Sequence, residues 1–251
     1  MPPSDPLSDY RIVVQLQAGS GEVANMRLLL VADLLRRSIE GIRRRNTALV
    51  LLTNDRPPTT RRSEQGIYLP PGGFQVKSAQ LSTGSAEVAM AFSSGSFDTI
   101  ITSSRPADQL AGRRILRVGA VSSHAGSALH EIVADLINED PLALKLALLR
   151  FHHESPAELS RARAHRAIET LQRWRFKVAG WHDMPRTKPA QQLLTMQRAL
   201  ATNLDSATVL NLMHRIETDP RQPSGYKYAA FRDIDRILAL NLGYLIGKRR
   251  G

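Results

Sequence analysis

The 251-residue chain contains no cysteine. That excludes disulfide scaffolds, thiolate nucleophiles, iron–sulfur clusters and every zinc site built on thiolates, and leaves only histidine and carboxylates as metal ligands. Aromatic residues make up 5% of the chain, so a bound nucleic acid would be held mainly through its phosphates and little through base stacking. Lysine is scarce too, at six of the 34 basic residues. Long hydrophobic runs are missing: the stretch 28–32 is closed by Asp33, far short of the roughly 20 residues that span a bilayer. Residues 1–9 have neither the basic nor the apolar region of a secretion signal. A cytoplasmic protein without a membrane partner is the expectation.

Hydrophobic residues account for 42% of the chain, enough for a real core. The formal net charge is +11, divided as +5 over residues 1–120 and +6 over 121–251. Such a surplus suits a polyanion-binding surface, and it equally suits ordinary solvated arginines.

Tyr10–Leu16 (YRIVVQL) is a β-branched run, Ala18–Gly21 a glycine-rich turn, and residues 23–45 carry a helical pattern. Thr47–Thr53 (TALVLLT) is apolar throughout, as a buried parallel strand requires. Residues 54–73, with two proline pairs and a glycine pair, read as a loop. Further strands are expected at 75–82, 97–103 and 114–122, with a short helix at 84–92. From about residue 126 the pattern is helical. Ser127 and Asp140-Pro141 open helices, and Ser155-Pro156-Ala157-Glu158 has the form of a capping box for a helix to about Arg175. Pro189, Asp205 and Tyr228 begin three more. The expected architecture is a flexible N-terminus (1–9), an α/β domain with a Rossmann-like parallel sheet (10–125), an α-helical bundle (126–247) and a basic tail (248–251).

Three blocks carry a resemblance. Glu22–Arg37 (EVANMRLLLVADLLRR), Asp140–Arg175 (DPLALKLALLRFHHESPAELSRARAHRAIETLQRWR), and Ala199–Ile216 with Phe231–Leu242 stand in the order of comparable blocks of class I cysteinyl-tRNA synthetases and the related mycothiol-pathway cysteine ligase. The first block is similar to the helix that opens with the HIGH signature and continues as ARTxxVxDxLRR. The resemblance implies a class I synthetase (HUP-type) core, trimmed, with ATP as its nucleotide and tRNA, or another synthetase or biosynthetic protein, as its partner.

The departures from that family carry as much weight. At the HIGH positions stand Glu22, Val23, Ala24 and Asn25. Asn25 keeps a donor, but Glu22 brings negative charge where developing phosphate charge needs donors or cations. At the KMSKS positions stand Val121, Ser122, Ser123, His124 and Ala125, of which Ser123 alone matches in kind and His124 replaces an ammonium. The family's zinc needs two cysteines that this chain lacks, so no zinc is expected. The resemblance thus implies a degenerate paralogue, a pseudoenzyme that binds RNA or protein. The alternatives are a divergent ATP-dependent ligase for a substrate other than cysteine, or a structural partner subunit docking through apolar residues between Ile237 and Ile246.

Two candidate sites follow. Gly19, Ser20, Gly21, Glu22 and Asn25, with Ser123 and His124, would form a nucleotide pocket. The GxGxxA spacing of 19–24 allows a phosphate cradle at a helix N-terminus, a dinucleotide site with Asp55 as its acid, or simply a turn. Arg36, Arg43, Arg44 and Arg45 at the end of the first helix, and Arg163 and Arg166 in the row Arg161, Arg163, Arg166, Arg173, Arg175, Lys177, would contact phosphates. Cations also gather at helix C-termini on dipole grounds alone.

Overall fold

The computed structural model describes residues 10–16, 22–53, 61–63, 66–69, 74–76, 79–83, 97–103, 114–123, 128–185 and 189–248. The chain divides into two compact units, one of residues 1–121 with 153–157, the other of 122–152 with 158–251. The expected boundary at 125 therefore lies a little late, and a short return segment that the sequence places in the bundle belongs with the first unit.

In the first unit, β1 (Tyr10–Gln15), β2 (Thr47–Thr53), β6 (Ala79–Thr83), β7 (Thr99–Thr102) and β8 (Arg114–Arg117) form one sheet in the order β6-β2-β1-β7-β8. Every neighbouring pair is parallel, with Ile12 opposite Leu49 on one side and Thr99 on the other. Counted along the chain the order is 3-2-1-4-5, that of doubly wound, Rossmann-like sheets. Ile12, Val14, Leu49, Leu51, Ile100 and Ile101 are buried, matching the near-continuous apolar runs typical of parallel strands. α1 (Glu22–Ser38) returns from β1 and passes into a π-helical turn at Ile39–Arg43, ended by Arg44 in the left-handed region at φ 52°.

The loop expected over 54–73 is corrected: β3 (Arg61–Ser63), β4 (Gly66–Leu69) and β5 (Phe74–Val76) make a three-stranded antiparallel sheet. The strand expected over 75–82 is two, β5 and β6, and that over 114–122 is also two, β8 and β9 (Val121–Ser123). The break falls at Gly119, whose amide donates to the His153 carbonyl at 2.8 Å. A Cβ there would collide with the Ser155 carbonyl, so the close approach of residues 153–157 requires glycine. The expected helix over 84–92 lies outside the described residues.

The second unit contains α2 (Leu129–Glu139), α3 (Pro141–Leu149), α4 (Arg161–Trp181), α5 (Ala190–Asn203), α6 (Ser206–Thr218) and α7 (Ser224–Leu238). Asp140 caps α3, accepting from the Leu142 amide at 2.9 Å, and Asp205 caps α6 through the Thr208 amide at 2.9 Å. The capping box at Ser155–Glu158 is not used. Residues 157–159 form the strand β10, anchored by Ala157 N–H donating to the Ala120 carbonyl, and Ser160 caps α4 instead. α7 starts four residues before the expected Tyr228. Its core sets Phe231 edge-on to Trp174 and Trp181, with ring centroids 5.7 and 5.3 Å apart. Of the docking stretch expected between Ile237 and Ile246, Ile237, Leu238, Leu240 and Leu242 are buried, Leu245 and Ile246 are half-buried, and Tyr244 is exposed. The left-handed turn at Ala239 and Asn241 is held by Asp235, which accepts from the amides of Leu240 and Leu242 at 2.7 and 2.9 Å.

Candidate functional site at the carboxyl edge of the parallel sheet

In an open parallel sheet, ligands bind beyond the carboxyl ends of the strands, where the strand order reverses. Here the reversal lies between β1 and β7, because β2 sits on one side of β1 and β7 on the other. The two strand ends are joined by the Thr102 hydroxyl, which donates to Gln15 Oε1 at 3.1 Å. β1 then leads through residues 17–21 into the first turn of α1, so the amide-rich, positive end of a helix follows directly on the reversal point. Asn25 stands half-buried in that turn. Gly19, Ser20 and Gly21 lie outside the described residues, as do the side chain of Glu22 and the whole of His124. Ser123 is half-buried in β9, in the other unit.

Sequence reasoning passed over Arg27. This guanidinium, 1% exposed, donates through Nη1 to the carbonyls of Gly119 and Ala120 at 2.7 and 3.0 Å. Burial lowers its pKa to about 10. α1 is thereby tied to the irregular segment between β8 and β9. The signal was a single cation inside the apolar run MRLLLV. Gln15, Thr102 and Gly119 offered no comparable local cue, since their roles depend on which strand lies alongside.

The arginines expected to share one phosphate-binding face separate. Arg36 is buried, and its Nη2 and Nη1 donate to Asp33 and Glu40 at 2.8 and 2.7 Å. Burial works against its charge, but these bonds and the two carboxylates prevail and hold the guanidinium above its ordinary pKa. Arg36 is thus an internal ion-pair partner rather than a phosphate ligand. Arg45 lies over the Tyr10 ring, 5.4 Å from its centroid, while Arg43 and Arg44 are exposed. All three sit at the amino edge of the sheet, one helix length from the carboxyl edge, so the two candidate sites of this unit are separate.

On α4 the row divides as well. Arg161 bonds Glu131 and Asp135 on α2 at 2.6 and 3.3 Å. Arg163 donates to the Glu158 carbonyl and covers the Phe151 ring. Arg175 is buried against Asp140 and the carbonyls of Leu240 and Asn241. Arg166 faces solvent.

Among the described residues no three histidine or acidic side chains come together as a metal site, and no helix is long and apolar enough to cross a membrane. No protein-family model matches the chain, and no curated protein matches it.

Proposed function

We propose that this chain is a cysteinyl-tRNA synthetase-like binding module that holds a nucleotide, ATP or the end of an RNA, at the carboxyl edge of its parallel sheet without activating cysteine. It acts as an RNA- or protein-binding partner in translation or biosynthesis. The observation that carries this reading is the 3-2-1-4-5 parallel order, with β1 running at its reversal point through a glycine-rich segment into α1. Gly19, Ser20, Gly21 and Asn25 are the residues that would hold a phosphate there. Adenylation has little support: Glu22 stands where the family has imidazole, and the nearby buried cation, Arg27, is engaged with two backbone carbonyls.

Calorimetric titration with magnesium-ATP, paired with ATP–pyrophosphate exchange over a panel of amino acids, tests the proposal. Saturable ATP binding without exchange is the expected result. Robust exchange with an amino acid other than cysteine would replace it with the divergent-ligase reading, and absence of ATP binding would remove the nucleotide site.

A further inference from the structure

Arg166, Thr170, Arg173 and Lys177 recur along α4 at the spacing that places side chains on one face of a helix. Arg150, at the end of α3, reaches the same face and donates through Nη2 to the Thr170 hydroxyl at 3.4 Å. Arg150, Arg166 and Arg173 are thus exposed cations on one face, with the buried Thr170 hydroxyl bonded to Arg150. Arg166 has no carboxylate partner among the described residues, and Arg150 has none either. The carboxylate that meets this face is Glu217 from α6, buried to 1% exposure. It accepts from Arg173 Nε at 2.8 Å, Lys177 Nζ at 2.9 Å and Trp174 Nε1 at 2.9 Å. Glu217 balances one charge of the stripe and fixes the direction of Arg173, while Arg150 and Arg166 meet no carboxylate among the described residues. Partial burial, and then the charges of Arg166 and Arg173, lower the pKa of Arg150, as expected where cations crowd one another.

We infer that Arg150, Arg166 and Arg173 form a phosphoryl-binding site on the helical unit, with Glu217 as the group that positions Arg173. Planar guanidiniums match phosphate oxygens two bonds at a time, which a lysine ammonium does not. An oxyanion placed among the three relieves their mutual repulsion. The ligand chemistry is a phosphate group carried either by a free polyphosphate compound or by a nucleic-acid backbone. The site belongs to the other unit from the sheet edge and does not depend on nucleotide binding there.

The 251-residue protein is titrated at low salt with inorganic tripolyphosphate by calorimetry and with a single-stranded oligouridylate by fluorescence polarisation. Wild type is compared with Arg166→Gln, with Arg150→Gln/Arg166→Gln, and with the charge-matched Arg221→Gln/Arg236→Gln, whose arginines are solvent-exposed elsewhere on the same unit. The double variant at the site is expected to bind at least one probe about tenfold more weakly, with Arg166→Gln intermediate and the control within about twofold of wild type. Loss of tripolyphosphate binding points to a free phosphate compound. Loss confined to the oligonucleotide, with a salt slope reduced by about 1.4 for two contacts removed from a single strand, points to the backbone. Equal weakening in the control, or no weakening at the site for either probe, would overturn the inference.

Discussion

Glu217 shows how a single buried carboxylate organises its surroundings. Burial alone would raise its pKa, yet bonds from Arg173, Lys177 and Trp174 bring it from 4.5 down to about 2. Because the folded-state value is depressed, the unfolded chain takes up the proton first, and this group's stabilisation is complete above about pH 4.5 and lost as pH falls toward 2. Glu217→Gln should therefore destabilise the helical unit at pH 7 by about 2 kcal/mol, below the roughly 3–5 kcal/mol of a fully buried pair because its cationic partners reach solvent. The difference between variant and wild type should shrink at pH 3, as read by urea denaturation at both pH values. Gly119 makes a second case. Gly119→Ala pushes a methyl group against the Ser155 carbonyl, which is backbone and cannot swing aside; a loss of about 3 kcal/mol is expected in the first unit. Equal urea midpoints for Gly119→Ala and wild type would contradict that packing.

The helices differ in how much their first turns carry. Asp205 caps α6 and also accepts from the Thr208 hydroxyl at 2.6 Å, whereas Asp140 both caps α3 and pairs with the buried Arg175. Asp205→Ala should cost about 1 kcal/mol, the ordinary cost of a lost cap. Asp140→Ala should cost about 3 kcal/mol, because it also strands a guanidinium in the core, and Asp140→Asn should fall between the two by keeping the cap and losing the charge. Thermal melts of the three variants give the order directly. α1 illustrates the same dependence on partners. Its last turn holds Arg36 and Arg37 where a helix C-terminus favours cations, yet both are bonded to Asp33, so the exposed charge begins only at Arg43.

Across the first unit, α1 runs from the carboxyl edge of the sheet to the amino edge, and its 17 residues span about 25 Å. Arg43 and Arg44 stand beyond one end, and the proposed nucleotide site would lie beyond the other. Arg43→Ala/Arg44→Ala should leave ATP affinity within about twofold of wild type. If this edge contacts RNA, the same variant lowers RNA affinity and reduces the salt slope by about 0.7 per lost phosphate contact. Calorimetry and a salt series of polarisation measurements on one preparation give both values, and a shared drop in ATP affinity would contradict the separation.

The elements legible in the sequence are those specified by neighbours in the chain. β1, α1 and β2 follow from a β-branched run, a 3.6-residue period and an apolar strand, and α3 and α6 start at their aspartate caps because a cap is a local hydrogen bond. Segments whose bonds lie far along the chain were not legible. β3, β4 and β5 pair with their neighbours in the chain and are missed for another reason, a proline- and glycine-rich composition that favours a loop. Residues 157–159 became a strand because the Ala157 amide found the Ala120 carbonyl, although the capping-box pattern favoured a helix. Near the proposed nucleotide site, the succession of β1 and α1 is legible in the sequence, but Arg27's hold on Gly119 and Ala120 is not. The arginine-rich composition and the absence of cysteine were determined by the sequence alone, and with them the kinds of chemistry open to the chain. Which arginines face solvent was decided by tertiary structure. Asp33, Glu40 and Asp140 neutralise some of them, and Glu217 orients another, only once folding brings these carboxylates within a few ångströms, where charge pairing outweighs the loss of hydration.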